Sequence, residues 1–398
     1  MKVKFINKSI LPLFVGLLFA GLSISMAEAA DLSIGGGMDT NFYIALSGNN
    51  YDIWETRIHG SDYNTQHIHP KIMIDISEKL SGEIYTCLSH GPEISLITTY
   101  IDYELYSSGD FGTTNFNVKL GRFDVPFGYF NSIAINPVDQ KSVSRPLMWV
   151  DHEQEDMKLY GGPRPIFMTA WSDIGAQFYG NKWVRGENDQ LWFGFYIING
   201  MSGRSDIKWM SVPRPISDNN GNKSFGGRVA YSFGDLFTAG ASYVSGKYDD
   251  EEKLNYAMYG GDFHLALGKT NLRFEYATNP VDWIKDITKK EYTKTGWYVQ
   301  YDAPFEQVFK ESKLAKKFEF VTMFSYLEHD QDKGEHTFLD MSRFSIGVNF
   351  APEAALKLRL EYQLTMLGDY NNTPSNVYKY GKEIDNLNRI QMNVGLAF

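Results

Sequence analysis

Cysteine is almost absent from this chain of 398 residues: Cys87 is the only one, so no disulfide can form within the chain. Beyond residue 29 there is no apolar run of about 18 residues, which argues against membrane-spanning helices. The sequence also lacks a C-x-x-C-H haem-attachment motif, a phosphate-binding glycine loop and a G-x-S-x-G nucleophile turn. We therefore expect no covalent haem, no nucleotide cofactor and no hydrolase of that type.

Positive charge is outweighed by negative charge. The chain has 38 Lys and Arg against 48 Asp and Glu, a formal net charge of −10, which argues against nucleic acid or an anionic lipid surface as a partner. His67 and His69 could approach a metal ion from one strand, but no further ligand is fixed by spacing, so we predict a solvated pair and no metal site. His152 and the acidic residues after it form the one candidate catalytic cluster, and we predict no enzymatic activity.

The N-terminus predicts export. Lys2, Lys4 and Lys8 precede an apolar stretch over residues 10–24, and Ala27-Glu28-Ala29 has the small-x-small pattern of a signal-peptidase site. We predict a secretory signal peptide over residues 1–29 and a mature chain over 30–398. The alternative is an uncleaved membrane anchor, but the apolar stretch is shorter than the roughly 20 residues that a spanning helix needs.

Alternation of apolar and polar residues runs through the whole mature chain. In the final stretch, "RIQMNVGLAF", every second residue from Ile390 to Phe398 is apolar, and the residues between are polar or small. The same pattern recurs from residue 32 onward in about 16 stretches, an even number. Short turns at 233–237, 267–271 and 350–356 take turns with long polar segments at 47–66, 199–223, 278–292 and 367–386.

This alternation of short and long connections is typical of a transmembrane β-barrel, which has short periplasmic turns and long outer loops. We predict an all-β fold, a transmembrane antiparallel β-barrel of 16–18 strands in the outer membrane of a Gram-negative bacterium. Its apolar faces would contact lipid, and closure would leave no free strand edge. A soluble all-β protein or a β-solenoid also alternates, but it would have to bury these faces, and no fixed repeat length is present.

One long segment interrupts the pattern at residues 124–172. Its aromatic content, with residues such as Phe127, Trp149 and Trp171, argues against disorder, and loops of this length are usually functional. We expect it to fold into the barrel and narrow it as a constriction loop.

The stretch "LGRFDVPFGYFN" at 120–131 resembles the strand-to-loop element of bacterial outer-membrane porins of the phosphate-selective type and their wider relatives. The residues that carry the resemblance are Gly121, Arg122, Phe123, Pro126, Phe127 and Gly128. The resemblance implies a passive channel, commonly a homotrimer, that sits among outer-membrane lipid and lipopolysaccharide. The terminal stretch "RIQMNVGLAF" resembles the amphipathic last strand with a final Phe that the barrel assembly machinery reads, which would make Phe398 an assembly signal; the alternative is that Phe398 closes an aromatic belt. The loop has a net charge of −2, whereas a phosphate filter should be rich in Lys and Arg.

The parity opposite the apolar residues should line the lumen. We predict pore-lining basic residues at Lys71, Lys119, Arg228, Arg273, Arg343, Lys357, Arg359 and Arg389, with Lys294 and Lys317 in addition. The acidic residues of this parity are Asp39, Asp75, Asp262, Glu275, Glu319 and Glu361, which leaves an excess of four positive charges.

Four of these basic residues lie in the last three strands, from Arg343 to Arg389, and could face an acidic run in the constriction loop across the lumen. That run consists of Asp151, Glu153, Glu155 and Asp156. Opposed rows would set up a transverse field that orients polar solutes. The alternative is that the charges are paired locally, for example Arg359 with Glu361.

Two functions remain open from the sequence. The first is a porin through which small hydrophilic or charged solutes diffuse. The second is the porin-like sheath of an outer-membrane electron-transfer conduit, in which the barrel would enclose a multihaem cytochrome. A haem-staining partner that copurifies with the chain would favour the second.

Overall fold

The computed structural model describes residues 31–47, 61–88, 95–109, 114–134, 139–150, 166–168, 171–185, 189–202, 218–285, 288–310, 312–330, 340–367 and 386–398. The predicted signal peptide lies outside these residues. Within them, no helix has the length and apolar character needed to span a membrane.

The chain forms sixteen long strands and one small two-stranded sheet. The strands are β1 (Asp31–Ser47), β2 (Ser61–Ser77), β3 (Leu80–Cys87), β4 (Ser95–Ser108), β5 (Thr114–Asp124), β6 (Trp149–Val150), β7 (Phe167–Met168), β8 (Ser172–Arg185), β9 (Asp189–Ile198), β10 (Ser224–Phe233), β11 (Phe237–Lys247), β12 (Asn255–Leu267), β13 (Thr270–Lys285), β14 (Thr288–Pro304), β15 (Phe318–Asp330), β16 (Met341–Glu353), β17 (Leu356–Leu367) and β18 (Asn386–Ala397). All but β6 and β7 pair antiparallel with their neighbours in one closed barrel, which confirms the predicted fold.

The barrel closes where the first strand meets the last. β1 and β18 pair from Gly37 opposite Ala397 to Ser47 opposite Asn388. Just beyond this ladder, Gly36 N–H donates to the Phe398 carbonyl at 2.8 Å, and Phe398 N–H donates to the Gly36 carbonyl at 3.0 Å. A side chain at Gly36 would collide with the backbone and with the Phe398 ring, so glycine allows this close approach.

Exposed apolar side chains cover the outside of the barrel, as the alternation predicts. Representative side chains are Ile34 (60% exposed), Phe195 (57%), Phe225 (60%) and Leu360 (52%). Successive residues of a strand point to opposite faces, so the residues between them form the inner wall. An apolar outer belt on a closed barrel is the arrangement that hydrocarbon requires, because no backbone edge is left unpaired.

Connections at the two ends of the barrel differ in length, with two departures from the predicted pattern. β2–β3, β10–β11, β12–β13 and β16–β17 are joined by two or three residues at one end. The expected long loop at 278–292 is wrong: β13 and β14 continue through it as a hairpin and pair as far as Lys285 opposite Thr288. At the short-turn end, β14 and β15 are joined instead by residues 305–317, which contain 3-10 turns at Phe305–Gln307 and Ala315–Lys317.

The core lies inside the barrel. Side chains from the segment after β5 pack with apolar inner-wall residues of β11 to β16, among them Val244, Met258, Ala277, Met323 and Met341. The inner wall is therefore not uniformly polar. It turns apolar where the inserted segment covers it, because apolar surface there is removed from water.

Candidate functional site: the inserted segment and the inner wall

The segment that follows β5 enters the barrel and lies on the inner wall. We call its described residues 125–134 and 139–150 the inserted segment. Its residues hydrogen-bond to β11 through Ser242, to β13 through Glu275, to β15 through Glu319 and to β17 through Glu361. Those side chains alternate with exposed apolar residues of the same strands, so these contacts lie on the inner face.

A buried asparagine ties the two ends of the insertion together. Asn131 is 3% exposed and donates from Nδ2 to the carbonyls of Val125 and Trp171, both at 2.9 Å. Its Oδ1 accepts the Trp171 N–H at 2.9 Å, and Val125 N–H donates to the Trp171 carbonyl at 2.9 Å. All polar atoms of the side chain that can bond here are used, so the insertion starts and ends at one point of the wall.

The P-F-G turn is the first anchor. Glu275, fully buried on β13, accepts the backbone N–H of Phe130 at 2.9 Å and of Tyr129 at 3.2 Å. Trp149 Nε1 donates to the other carboxylate oxygen at 3.2 Å. Hydrogen bonds to a charged group contribute about 1.5–3 kcal/mol each, so this carboxylate is a strong attachment.

Gly128 makes that anchor possible. Its φ is +65°, in the left-handed region, and a Cβ at this position would lie 2.0 Å from Glu275 Oε1. Its N–H donates to Ser242 Oγ at 3.1 Å. A side chain would therefore meet both backbone strain and a direct collision with the carboxylate.

A second carboxylate holds the segment on β17. Glu361 accepts the N–H of Val143 at 2.8 Å and of Ser144 at 2.9 Å, and the hydroxyl of Ser142 at 2.5 Å. Ser144 Oγ hydrogen-bonds to the same group and also lies 2.7 Å from Ser345 Oγ on β16. The inserted segment thus has one carboxylate anchor on β13 and another on β17.

Aromatic packing completes the attachment. Phe127 and Phe167 have ring centroids 4.8 Å apart, and Phe167 stacks on Trp149 at 4.4 Å. Gly260 on β12 leaves room for the Phe127 ring, since a Cβ there would lie 2.6 Å from it. Gly296 on β14 does the same for Met148 at 2.7 Å.

The remaining motif residues act at the base of the insertion. Gly121 has a φ of +127°, and a Cβ there would lie 2.4 Å from the Thr99 carbonyl on β4. Arg122 Nε donates to the Ile97 carbonyl at 3.1 Å and to Ser172 Oγ at 3.0 Å. Phe123 is fully buried in the core, and Pro126 precedes Phe127 in the turn. The strand-to-loop motif therefore belongs to the structure that supports the insertion.

The predicted basic residues of β10 and β13 are buried in ion pairs. Arg228 is hydrogen-bonded to both carboxylate oxygens of Asp262, one of them at 2.7 Å, and both side chains are at most 9% exposed. Arg273 pairs through Nη1 with one carboxylate oxygen of Asp302, Oδ1, and the two side chains are 7% and 0% exposed. Burial of such pairs is favourable only when each charge keeps its partner.

The basic residues of β2 and β5 are more open. Lys71 Nζ lies 2.7 Å from Glu83, with 37% of its side chain exposed. Lys119 Nζ lies 3.7 Å from Asp102 and 4.1 Å from the centroid of the Tyr100 ring.

The basic residues of β16 to β18 are brought onto neighbouring strands, but Glu361 lies among them. Along β17, Lys357 and Arg359 precede Glu361, whereas Arg389 is level with Gln363 and Arg343 with Thr365. Arg359 donates from Nη1 to Asn393 Oδ1 at 2.5 Å, and its buried Nε and Nη2 have no hydrogen-bond partner among the described residues, so it is not hydrogen-bonded to Glu361 as the local-pairing alternative expected.

The inserted segment itself covers this basic region. Asn349 Nδ2 donates to the Lys141 carbonyl at 2.9 Å, and Arg343 Nη1 donates to the Arg145 carbonyl at 3.5 Å. Lys141 Nζ lies 2.7 Å from Glu319. The acidic run predicted to face the basic residues, Asp151 to Asp156, lies outside the described residues.

The predicted charge balance of the wall needs two corrections. Lys317 is exposed in a 3-10 turn at the barrel rim and donates to the Pro352 carbonyl at 2.8 Å, so it does not line the lumen. Several acidic residues of the inner parity were missed, among them Glu83, Asp102, Asp173 and Asp302. Among the described residues, these four alone raise the acids to ten against the nine predicted basic residues that remain, so the expected excess of positive charge disappears.

The described residues contain no group of three or more His, Cys, Asp and Glu placed to hold a metal ion. His69 packs edge-on against Tyr85, with ring centroids 5.9 Å apart.

Comparison with known proteins adds a fold-level relationship. No protein-family model matches the chain. An uncharacterised protein of Aquifex aeolicus (strain VF5) is 24% identical over 168 residues, which are 40% of this chain and 32% of that protein, so the match spans about a third of the relative.

Solved structures match over nearly the whole chain. The anion-selective porin from Comamonas acidovorans superposes with a TM-score of 0.58 at 13% identity, covering 93% of this chain and 100% of that one. The fold is that of the outer-membrane porins. The outer membrane channel DcaP of Acinetobacter baumannii gives 0.58 at 9% identity, with 93% and 98% covered. OmpF of Salmonella typhi, in complex with daunomycin, gives 0.55 at 12% identity, with 92% and 97% covered. The closed fold and its apolar belt are those of a multi-pass barrel of the outer membrane.

Proposed function

We propose that the protein is a porin, a water-filled channel through which small hydrophilic solutes diffuse passively. The observation that carries the proposal is the inserted segment, which lies on the inner wall of a closed barrel and is fixed to β13 and β17. A channel needs a rigid narrow region to select by size, and two carboxylate anchors supply rigidity. The solved structures with this fold include channels and porins, which adds support.

Selectivity between anions and cations should be weak. Acidic and basic side chains of the inner wall are nearly balanced among the described residues, and several are neutralised in buried pairs such as Arg228 with Asp262. This balance argues against a phosphate-selective subtype. The opposed acidic row from Asp151 to Asp156 remains a proposal, and it would add cation preference if it faces the lumen.

The porin proposal is tested by removing part of the insertion. Residues 142–165 are replaced by a short Gly/Ser linker, and single-channel conductance is measured in planar bilayers. We expect higher conductance, because the narrowest part of the pathway would be lost. The control variant is Asp235→Gly, which changes an exposed residue of the β10–β11 turn. Unchanged conductance in the linker variant, with a properly folded barrel, would contradict the proposal.

The alternative of a sheath around a multihaem cytochrome has no specific support in the described residues. The inner wall from β11 to β17 is already covered by the inserted segment, which leaves less surface for an enclosed partner. Purification under mild conditions followed by haem staining checks it, and a stoichiometric haem-containing partner would favour the sheath over the porin.

We also propose that the barrel assembles as a homotrimer. One solved structure with the same fold is a trimer form of OmpT from Vibrio cholerae, with a TM-score of 0.55 at 9% identity. Light scattering of the detergent-solubilised protein gives the oligomeric mass directly.

A further inference from the structure

The connection between β14 and β15 is unusual for its end of the barrel. It spans residues 305–317, whereas β10–β11, β12–β13 and β16–β17 are joined there by two or three residues. In outer-membrane barrels the short turns face the periplasm, so this longer connection lies at the periplasmic leaflet. We call it the rim segment.

The rim segment exposes apolar and basic side chains together. Val308 is 76% exposed, Phe309 59% and Leu314 61%, which are among the highest exposures of large apolar residues in the structure. Exposed lysines at 310, 313 and 316 stand between and beside them. Residues 305–317 contain four lysines and two glutamates, a net charge of +2, in a chain whose net charge is −10.

The position of the rim segment relative to the membrane follows from aromatic rings next to it. Phe305 stacks with Phe318, with centroids 6.1 Å apart, and Phe318 stacks with Phe350 at 4.7 Å. Tyr301 on β14 and Phe320 on β15 have ring centroids 6.5 Å apart. Aromatic girdles mark the level of the lipid headgroups, so the rim segment starts at that level.

Contacts at both ends hold the segment along the rim. Gln307 Nε2 donates to Thr270 Oγ1 at 2.5 Å, and Glu306 pairs with Lys269, which lies next to Thr270 in the β12–β13 turn. At the other end, Ala315 is buried and Lys317 Nζ donates to the Pro352 carbonyl. The exposed residues between these ends are therefore presented on a fixed support.

We propose that the rim segment binds the anionic phospholipids of the periplasmic leaflet. Val308, Phe309 and Leu314 would enter the boundary between headgroups and acyl chains, which removes their apolar surface from water. Lys310, Lys313 and Lys316 would pair with lipid phosphates, as basic residues near an anionic membrane surface do. This is a local exception to the expectation that an acidic chain avoids anionic lipid.

The test places a fluorophore on the segment. A bimane label is attached at Phe309→Cys in a Cys87→Ser background, and a matched label at Asp235→Cys in the β10–β11 turn serves as the control at the same end. Both proteins are folded into phosphatidylcholine vesicles with and without phosphatidylglycerol, and folding is checked by heat-modifiable migration. Quenching by nitroxide-labelled lipid and by aqueous iodide is then measured.

We expect lipid quenching to be severalfold stronger at 309 than at 235 in phosphatidylglycerol vesicles, with the order reversed for iodide. The Lys310→Gln/Lys313→Gln/Lys316→Gln variant, and vesicles of phosphatidylcholine alone, should each weaken lipid quenching at 309. Iodide access at 309 equal to that at 235 would overturn the proposal. If lipid quenching at 309 changes neither with headgroup charge nor with the lysine substitutions, the proposal is also overturned, because the anionic lipid would then have no role.

Discussion

Gly128 and Glu275 approach each other so closely that the carboxylate occupies the space where a side chain at 128 would begin. A Cβ on Gly128 would lie 2.0 Å from Glu275 Oε1, although the two residues are 147 positions apart in the sequence. The turn and the wall residue therefore form one unit. The anchor requires both the missing side chain and the carboxylate.

Replacing Gly128 with Ala should detach the turn from Glu275. We then expect single-channel conductance to rise or to fluctuate between levels. Gly268→Ala is a matched control, because Gly268 has nearly the same φ, +66° against +65°, but nothing within 4 Å of its Cβ position. Both variants carry the left-handed backbone cost of about 1–2 kcal/mol, and only Gly128→Ala adds the collision. Equal conductance in the two variants would show that the Glu275 anchor does not hold the channel's width.

Removing one partner of the buried pair Arg228–Asp262 should destabilise the barrel strongly, whereas replacing both partners should destabilise it little. Arg228→Met leaves a charged carboxylate buried alone, which costs about 3–5 kcal/mol, while Arg228→Met/Asp262→Leu should recover most of that loss. Urea unfolding in vesicles measures both. Lys253→Gln, which removes the exposed pair with Glu251, should change nothing measurable. A double variant as unstable as the single one would mean that the pair has a role beyond charge compensation.

Ion selectivity should respond more to Lys71 than to Lys357. The Lys71 side chain is 37% exposed, whereas Lys357 is 8% exposed on a wall that the inserted segment covers. Screening over about 8 Å at physiological ionic strength favours the charge nearer to the water path. Lys71→Gln should shift the reversal potential in a salt gradient toward cations, most clearly in dilute salt. A larger shift for Lys357→Gln would place the ion path along β17.

Phe398→Ser should lower the yield of folded barrel without affecting export. The ring of Phe398 lies against Gly36, where a Cβ would be 3.0 Å from it, and the residue is also the predicted assembly signal. Heat-modifiable migration of outer-membrane fractions at native expression level gives the yield. Leu396→Ala, a truncation on the same outward face, separates the terminal position from general loss of apolar surface.

The strands could be predicted from the sequence because a membrane barrel repeats one simple pattern, the alternation of apolar and polar residues. All sixteen barrel strands were predicted, since lipid-facing and inner residues alternate wherever the wall crosses hydrocarbon. The hairpin of β13 and β14 was missed near Asp282 and Lys289, because polar residues occupy both faces there and the alternation is lost. Strand ends were also missed, which removed acids such as Asp173 and Asp302 from the predicted wall.

The contacts of the inserted segment could not be predicted from local patterns. Glu275 was predicted as one charge among many on the wall, and nothing near it in the sequence indicates that it accepts the N–H of Phe130. The same holds for Glu361 and Ser144. Such contacts depend on the curvature of a closed barrel, which brings distant strands to face one point. The P-F-G turn indicated where the insertion begins, but it carries no information about the wall residues that hold it.

The hydrogen bonds between Gly36 and Phe398 belong to the seam between β1 and β18, the one place where the barrel joins the two ends of the described chain. Every other neighbouring pair of barrel strands is joined through one connection, whereas the β1–β18 pair joins residues about 360 positions apart, such as Gly37 and Ala397. Bringing distant segments together costs more chain entropy than closing a hairpin, so this seam should form late. Until the seam forms, β1 and β18 have unpaired backbone edges that can pair with other chains. A chaperone or assembly factor that covers these edges would therefore prevent aggregation during the slowest step of folding.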